Sequence, residues 1–213
     1  MWCFMSNSHQ MLMKIKNKIL KFYFKHKISI SIDVHNPPTF ISSNCIGTRL
    51  YLVRNIPFYS PTIGMWFEPD CFYKLVTNLE YYLSLELEHL DLNGKCNYPM
   101  GSLGDIKVHL MHYDTFSDAK EKWQRRLKRV NYSNIIIINT DRDGCTKEKL
   151  KRIHENSKYP IVSFVSNECE ILNKCDNVVV YLKEYSKNEC VGDLYTEYHQ
   201  LALSFPYKVL QND

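Results

Sequence analysis

Four consecutive isoleucines at 135–138 constrain the fold of this 213-residue chain more than any other feature. A strand with one face in solvent alternates apolar and polar side chains, whereas an unbroken β-branched run is typical of a strand buried on both faces. Similar apolar runs follow at 161–165 and 178–182, and stretches with helical periodicity separate them. Buried strands that alternate with helices predict a parallel sheet that is covered on both sides.

We therefore predict an α/β fold with three layers, in which a mostly parallel, doubly wound, Rossmann-like sheet carries helices on both faces. The predicted strands are 39–42, 106–111, 135–138, 161–165 and 178–182. The predicted helices follow Gly47 and span 69–87, 118–129, 147–154 and 192–205. Residues 93–104 are predicted to form a loop because they are rich in Gly, Asn and Pro.

The composition is typical of a folded protein, with 45% hydrophobic and 23% charged residues. The net charge of +4 is too small to predict nucleic acid as a partner. The eight cysteines are scattered and include no C-x-x-C pair, so we predict neither a zinc ribbon nor a redox dithiol. No secretory signal precedes them, and we expect reduced thiols in a cytoplasmic protein.

The first 30 residues differ from the rest, and we predict a basic amphipathic segment at 1–30 followed by a single α/β domain at 31–213. Between residues 11 and 27, lysines interrupt every apolar run, which excludes a spanning helix and a signal-peptide core. Two interpretations stay open. The segment is either a helix that lies peripherally on the inner, anionic surface of a membrane, or a solvated helix that packs its aromatic side chains on the domain.

Polar side chains follow four of the predicted strands, at residues 43–45, 112–114, 139–141 and 166–168. In an open α/β sheet, ligands bind outside the carboxyl ends of the strands, so these residues predict a shared cleft. The alternative is that Asn, Asp and Ser are frequent in turns of every kind.

Within that cleft, Cys45 is the candidate nucleophile, His112 its base, and Asp141 (or Asp114) the group that orients the base. A thiolate forms readily at a helix N-terminus, and Cys45 lies at a predicted strand-to-helix turn. The alternative for Cys45 is an inert thiol that fits a tight turn. The predicted substrate-binding residues are Ser43, Asn44, Gly47, Ser60, Thr62, Asn139, Arg125, Arg126 and Arg129.

The predicted helix at 118–129 is strongly basic, with six cations in the ten residues from 120 to 129. Such a run is usually a solvated helix face. Beside a cleft, it would instead suit an anionic ligand such as a nucleotide sugar or a coenzyme pyrophosphate. The chain contains neither G-x-G-x-x-G nor G-x-x-x-x-G-K-[ST], so a Rossmann fingerprint and a P-loop are both excluded.

Several segments, in order along the chain, resemble a bacterial family of unknown function, DUF1919, whose members are often labelled exopolysaccharide biosynthesis proteins. They are 41–47 (I-S-S-N-C-I-G), 60–64, 78–83, 98–101, 123–126 with 129–131, 141–146 and 190–193. At 46–48 this chain has Ile-Gly-Thr where the family tends to have Trp-Gly-Gly. The resemblance implies an α/β fold and a role near cell-surface polysaccharide assembly, and it supplies no catalytic residue.

Asn44 and Cys45 also resemble the Gly-Asn-Cys-Gln turn of coenzyme-A-binding capsule acetyltransferases, with Ser43 and Ile46 at the other two positions. We predict a cytoplasmic transferase that moves an acyl or glycosyl group onto a surface polysaccharide, with a nucleotide sugar or an acyl-coenzyme A as candidate donor. The alternatives are a non-catalytic scaffold protein of polysaccharide assembly and a hydrolase that uses Cys45. No metal is predicted, and the oligomeric state does not follow from the sequence.

Overall fold

In this computed structural model, the described residues are 7–91, 96–166, 177–181 and 206–211. The predicted helix at 192–205 and the predicted strand-end residues 167 and 168 lie outside them. The described helices are α1 (Asn7–Ser31), α2 (Ile46–Arg54), α3 (Pro69–Thr77), α4 (Leu79–Ser84), α5 (Phe116–Leu127) and α6 (Lys147–Asn156), with a 3-10 turn at Tyr207–Leu210. The described strands are β1 (Thr39–Ser42), β2 (Glu88–His89), β3 (Met100–Leu103), β4 (Ile106–His109), β5 (Ile135–Thr140), β6 (Ile161–Val165) and β7 (Asn177–Tyr181).

The central sheet is parallel and has the strand order β1-β5-β6-β7. Its second strand, β5, contains the isoleucine run, and successive side chains of that run point to opposite faces. Ile136 and Ile138 enter one buried cluster, while Ile135 and Ile137 enter another. The strand is therefore buried on both faces, as the sequence predicted.

The two faces of the central sheet are covered by different elements. On one side, α1, α2 and the 3-10 turn supply Phe24, Ile28, Leu50, Tyr51 and Leu210. On the other side lie α3, α4, α5, α6 and the second sheet. Helix α2 is fixed to β1 by the buried Tyr51 hydroxyl, which donates to the Pro38 carbonyl and accepts from the Phe40 amide, both at 2.9 Å.

The α/β class and the parallel sheet are confirmed, but the doubly wound Rossmann arrangement is wrong for the described strands. Their order β1-β5-β6-β7 contains no reversal, and a doubly wound sheet requires one. A separate antiparallel sheet, β2-β3-β4, is also present. Strand β4 was expected in the parallel sheet, and β3 lies where a loop was expected. Gly104, at a φ of +57°, closes the turn between them.

The burial pattern of β4 gives the physical reason for this difference. Ile106 and Val108 are buried whereas Lys107 is exposed, so the strand has one apolar face and one solvated face. That alternation is typical of antiparallel sheets rather than of a strand covered on both sides.

The predicted helix at 69–87 is divided into α3 and α4 at Asn78, whose φ of −136° is not helical. Two other helix starts follow the prediction. Thr115 caps α5 by accepting from the Asp118 amide at 3.1 Å. Thr146 caps α6 by accepting from the Lys149 amide at 3.4 Å. Within the described ranges, no helix has both the length and the apolar composition needed to cross a bilayer.

Candidate active site

Cys45 lies in the turn between β1 and α2, directly before the first residue of the helix. Asn44 holds this turn in place, because its Oδ1 accepts from the Ile46 amide at 3.3 Å and its Nδ2 donates to Thr140 Oγ1 at 2.9 Å. The second contact ties the turn to the end of the neighbouring strand β5. The Cys45 side chain is half-buried.

Gly47 allows the first turn of α2 to approach β1 closely. A Cβ atom at this position would lie 3.1 Å from Ser42 Cβ and 3.3 Å from Phe40 Cβ. The Gly47 amide also donates to Ser42 Oγ at 3.3 Å. Gly47 is buried, and its lack of a side chain lets the start of α2 pack closely on β1. This packing positions the helix that begins directly after Cys45.

His112 reaches Cys45 from the antiparallel sheet rather than from a parallel strand. Trp66 and His109 form an antiparallel bridge, with amide-to-carbonyl distances of 3.0 and 3.1 Å. The adjacent Phe67 amide donates to the Ser43 carbonyl at 3.1 Å, which joins the same segment to the end of β1. As a result His112 Nε2 lies 2.9 Å from Cys45 Sγ, although the two residues are 67 positions apart in sequence.

The Cys45–His112 pair lines an open cavity of about 320 Å³. This volume lies at the lower end of the range for small-molecule sites. Apolar side chains form part of the wall, and three cations line it as well. The apolar residues are Leu52, Phe58 and Ile63, and the cations are Arg49, Lys122 and Arg126.

Arg126 is the most deeply buried of these cations, with 6% of its surface exposed. Its Nη1 donates to the Ile63 carbonyl at 3.2 Å and to the Tyr113 hydroxyl at 2.6 Å. Its guanidinium carbon lies 5.1 Å from the centre of the Phe58 ring. No carboxylate in the described part of the chain forms an ion pair with it. A buried charge with neutral partners only is costly, so Arg126 favours an anion in the cavity.

The other two cations are more accessible. Lys122 lies 2.7 Å from an Asp118 carboxylate oxygen and 5.3 Å from the centre of the Tyr113 ring. Arg49 is exposed and lies one helical turn after Cys45 in α2. Together the three side chains give the cavity a positive character.

Asp141 is buried, but it does not line this cavity. One of its carboxylate oxygens accepts from the Ser166 amide at 2.9 Å and from the Ser166 hydroxyl at 2.7 Å. These contacts hold the end of β6. Among the described residues, no carboxylate hydrogen-bonds to His112, and Asp114 is exposed.

The remaining predicted residues do not line the cavity. Ser60 and Thr62 are fully buried, with their hydroxyl oxygens 3.0 Å apart, and Thr62 Oγ1 accepts from the Ser42 amide at 3.3 Å. Asn139 Nδ2 lies 3.8 Å from Cys145 Sγ. Two further cations are exposed outside the cavity. Arg125 in α5 pairs with Glu121 at 3.6 Å, and Arg129 lies beyond the end of α5.

A model of the domain of unknown function DUF1919 matches residues 15–209. The chain belongs to this family. An uncharacterized protein of Haemophilus influenzae is 28% identical over 189 residues, which is 89% of this chain and 88% of that protein. The Cys45–His112 pair and Arg126 all lie inside both the DUF1919 match and the described part of the chain.

Sequence reasoning about this DUF1919 protein named Arg126 but missed Lys122 and Arg49 as cavity residues. Lys122 and Arg126 are four residues apart and therefore share one face of α5. That face borders the buried Ala119 and Trp123, whereas Arg125 points to solvent. The spacing of the cations relative to Trp123 along the helix is the sequence signal that would have identified the inward-facing ones.

The site of this DUF1919 protein has the parts of a nucleophilic centre. The Cys45 thiol lies at the N-terminal end of α2 and in hydrogen-bond contact with an imidazole. A thiol placed at a helix N-terminus and in contact with an imidazole is the arrangement in which cysteine nucleophiles are found. Its partner His112 is exposed, so a proton can exchange with a reactant or with solvent.

Proposed function

We propose that this protein is a cysteine-dependent acyltransferase. Cys45 accepts an acyl group from an anionic thioester donor of the acyl-coenzyme A class and passes it to a hydroxyl group of a cell-surface polysaccharide or its precursor. The observation that carries the proposal is the 2.9 Å contact between Cys45 Sγ and His112 Nε2 at a cavity with three cations. The polysaccharide acceptor rests on the family resemblance.

The reaction takes place in two steps. His112 holds the proton of the Cys45 thiol while Sγ attacks the acyl carbonyl carbon of the donor. The carbon–sulfur bond to coenzyme A breaks, and the leaving thiolate takes the proton from His112. The acceptor hydroxyl then attacks the acyl group on Cys45, His112 removes the hydroxyl proton, and Cys45 leaves as the thiol. One ester replaces one thioester, and no oxidant or reductant is needed.

The three cations provide a place for the donor's phosphates. Among the described residues the Arg126 guanidinium has neutral partners only, and phosphates form strong, charge-assisted hydrogen bonds with such groups. Arg49 and Lys122 add positive charge along the same cavity. A cytoplasmic location suits this donor class, because acyl-coenzyme A is a cytoplasmic metabolite.

The direct test is the covalent intermediate. Full-length protein is incubated with acetyl-coenzyme A, and its intact mass is measured without acceptor. We expect one acetyl group on Cys45, no adduct in Cys45→Ala, and a strongly reduced rate in His112→Gln. Cys71→Ala is the matched control, because burial raises the pKa of that half-buried thiol and Cys71 does not line the cavity.

Two outcomes would contradict the proposal. One is an adduct that forms equally fast in Cys45→Ala and in the unsubstituted protein. The other is the absence of both an adduct and any rise in melting temperature with acyl-coenzyme A, since a ligand that binds only the native state must stabilise it. If the Cys45→Ala protein still supports normal polysaccharide production in cells, the non-catalytic scaffold interpretation replaces this one.

A further inference from the structure

Helix α1 has two separate apolar faces, and the domain covers one of them. Phe24 and Ile28 are 1% and 0% exposed and belong to the core cluster on the α2 side of the central sheet. The Phe24 ring lies 6.3 Å from the Tyr207 ring, measured between centres. This face fixes the C-terminal half of α1 to the protein.

The second apolar face is exposed. Its members are 47% to 74% exposed, and they are Met11, Leu12, Ile15, Ile19, Phe22 and Ile30. At 3.6 residues per turn, these six positions fall within an arc of roughly 100°. That arc lies on the side of α1 opposite to Phe24 and Ile28. The described part of the chain places nothing over it.

Lysines border this exposed face. Helix α1 contains six lysines and no Asp or Glu. Lys14, Lys18 and Lys25 are exposed along one border of the apolar arc, and Lys16 is exposed along the other. An apolar stripe between rows of lysines is typical of a helix that lies in the interface of an anionic membrane.

We infer that α1 binds the surface of an anionic lipid bilayer through this face, lying in the plane of the membrane. The charge pattern favours lipid over a second copy of the chain, because pairing two such helices would bring lysines against lysines without an acidic partner. This inference stands independently of the proposed reaction.

The test is sedimentation of the full-length protein with vesicles. One set is made of phosphatidylcholine alone, and the other contains phosphatidylglycerol as well. We expect binding to the second set, weakened by salt, and little binding to the first. Substituting Ile19→Ser together with Phe22→Ser should lower the partition coefficient roughly tenfold or more. Lys18→Gln together with Lys25→Gln should lower binding to anionic vesicles alone.

Matched controls distinguish binding through the exposed face of α1 from nonspecific hydrophobic or electrostatic adsorption to the vesicles. Tyr132→Ser removes an aromatic side chain that is 53% exposed elsewhere, and Lys128→Gln with Lys158→Gln removes two other exposed lysines. Neither control should change vesicle binding. Circular dichroism of the variants should match the parent, because the substituted side chains are exposed.

The inference is overturned if the two α1 variants bind vesicles as well as the parent does, or if the control variants lose binding equally. It is also overturned if the protein does not bind vesicles and forms a dimer that dissociates in the Ile19→Ser, Phe22→Ser variant, because the apolar face would then pair two copies of the chain. None of these readouts depends on acyl transfer, so failure here leaves the proposed function standing.

Discussion

Acidification from about pH 7.5 to about pH 5 should cost the folded protein about 2 kcal/mol through His154 alone. This histidine is 3% exposed, lies in α6, and has its Nε2 2.8 Å from the Ser163 hydroxyl in β6. Burial lowers the pKa of His154 from its ordinary 6.5 to about 4. The cause is desolvation, which disfavours the charged imidazolium.

The direction of this change in the free energy of unfolding follows from the protons that each state binds. The unfolded chain takes up a proton on His154 near pH 6.5, whereas the folded chain does so only near pH 4. Between these values the unfolded state binds more protons, so the free energy of unfolding falls as the pH falls. The stabilisation is fully present above pH 6.5 and is lost as the pH drops through the folded pKa. The complete loss amounts to about 3 kcal/mol.

The assay is urea unfolding at a series of pH values, followed by tryptophan fluorescence. The comparison is the parent against His154→Leu combined with Ser163→Ala, which removes both polar partners and leaves no buried hydroxyl unsatisfied. Between about pH 7.5 and about pH 5, the parent should lose about 2 kcal/mol more than the double variant. Other groups, including His109, whose pKa burial also lowers, contribute to both proteins and cancel in the difference.

His89→Leu is the matched control, because the His89 side chain is exposed in the folded chain. It should keep the parent's pH dependence. If the double variant and the parent lose stability in parallel, the burial of His154 does not carry the pH dependence and the reasoning fails.

Three further predictions concern the site and its supports. Arg126→Met should weaken binding of an acyl-coenzyme A at least tenfold by calorimetry, yet change the free energy of unfolding by less than about 1 kcal/mol, because no carboxylate in the described part of the chain pairs with the buried charge. A large loss of stability with unchanged binding would contradict this. Gly47→Ala should cost about 1–3 kcal/mol in urea unfolding through overpacking against Ser42 Cβ, and an unchanged midpoint would show that α2 shifts freely. Thr115→Ala removes the cap of α5 and should cost about 1 kcal/mol, with Thr115→Ser, which keeps the hydroxyl, restoring most of it.

The central sheet was predictable because its strands are encoded locally. A run such as Ile135–Ile138 has no polar face to present to water, so burial on both sides follows from the sequence alone. The antiparallel sheet was missed because its signal is weaker. The alternation of Ile106, Lys107 and Val108 spans only one period, and the partner strand begins with Met100 and Gly101 in a segment whose Gly, Asn and Pro residues resemble a loop.

The contact between Cys45 and His112 was predicted, but from an incorrect placement of His112 in the fold. The expectation placed both residues at carboxyl ends of one parallel sheet, but His112 follows an antiparallel strand. The Trp66–His109 bridge brings Cys45 and His112 together. It pairs two residues that are 43 positions apart, and no local sequence pattern predicts it. The hydrogen bonds of Asp141 could not be predicted either. Its partner Ser166 lies at the end of the adjacent strand, and the sequence does not show which polar strand ends will contact each other.

The absence of a carboxylate on His112 among the described residues has a consequence for how the site would work. In a triad the acid stabilises the imidazolium that forms when the base takes a proton. Here the thiolate of Cys45 would itself be the counter-ion of that imidazolium at 2.9 Å, with the N-terminal end of α2 beside it. A further carboxylate at the cavity would repel an anionic donor and would pair with Arg126, whose hydrogen-bond partners within the described ranges are neutral. A dyad beside the buried Arg126 guanidinium therefore suits a negatively charged substrate better than a full triad would.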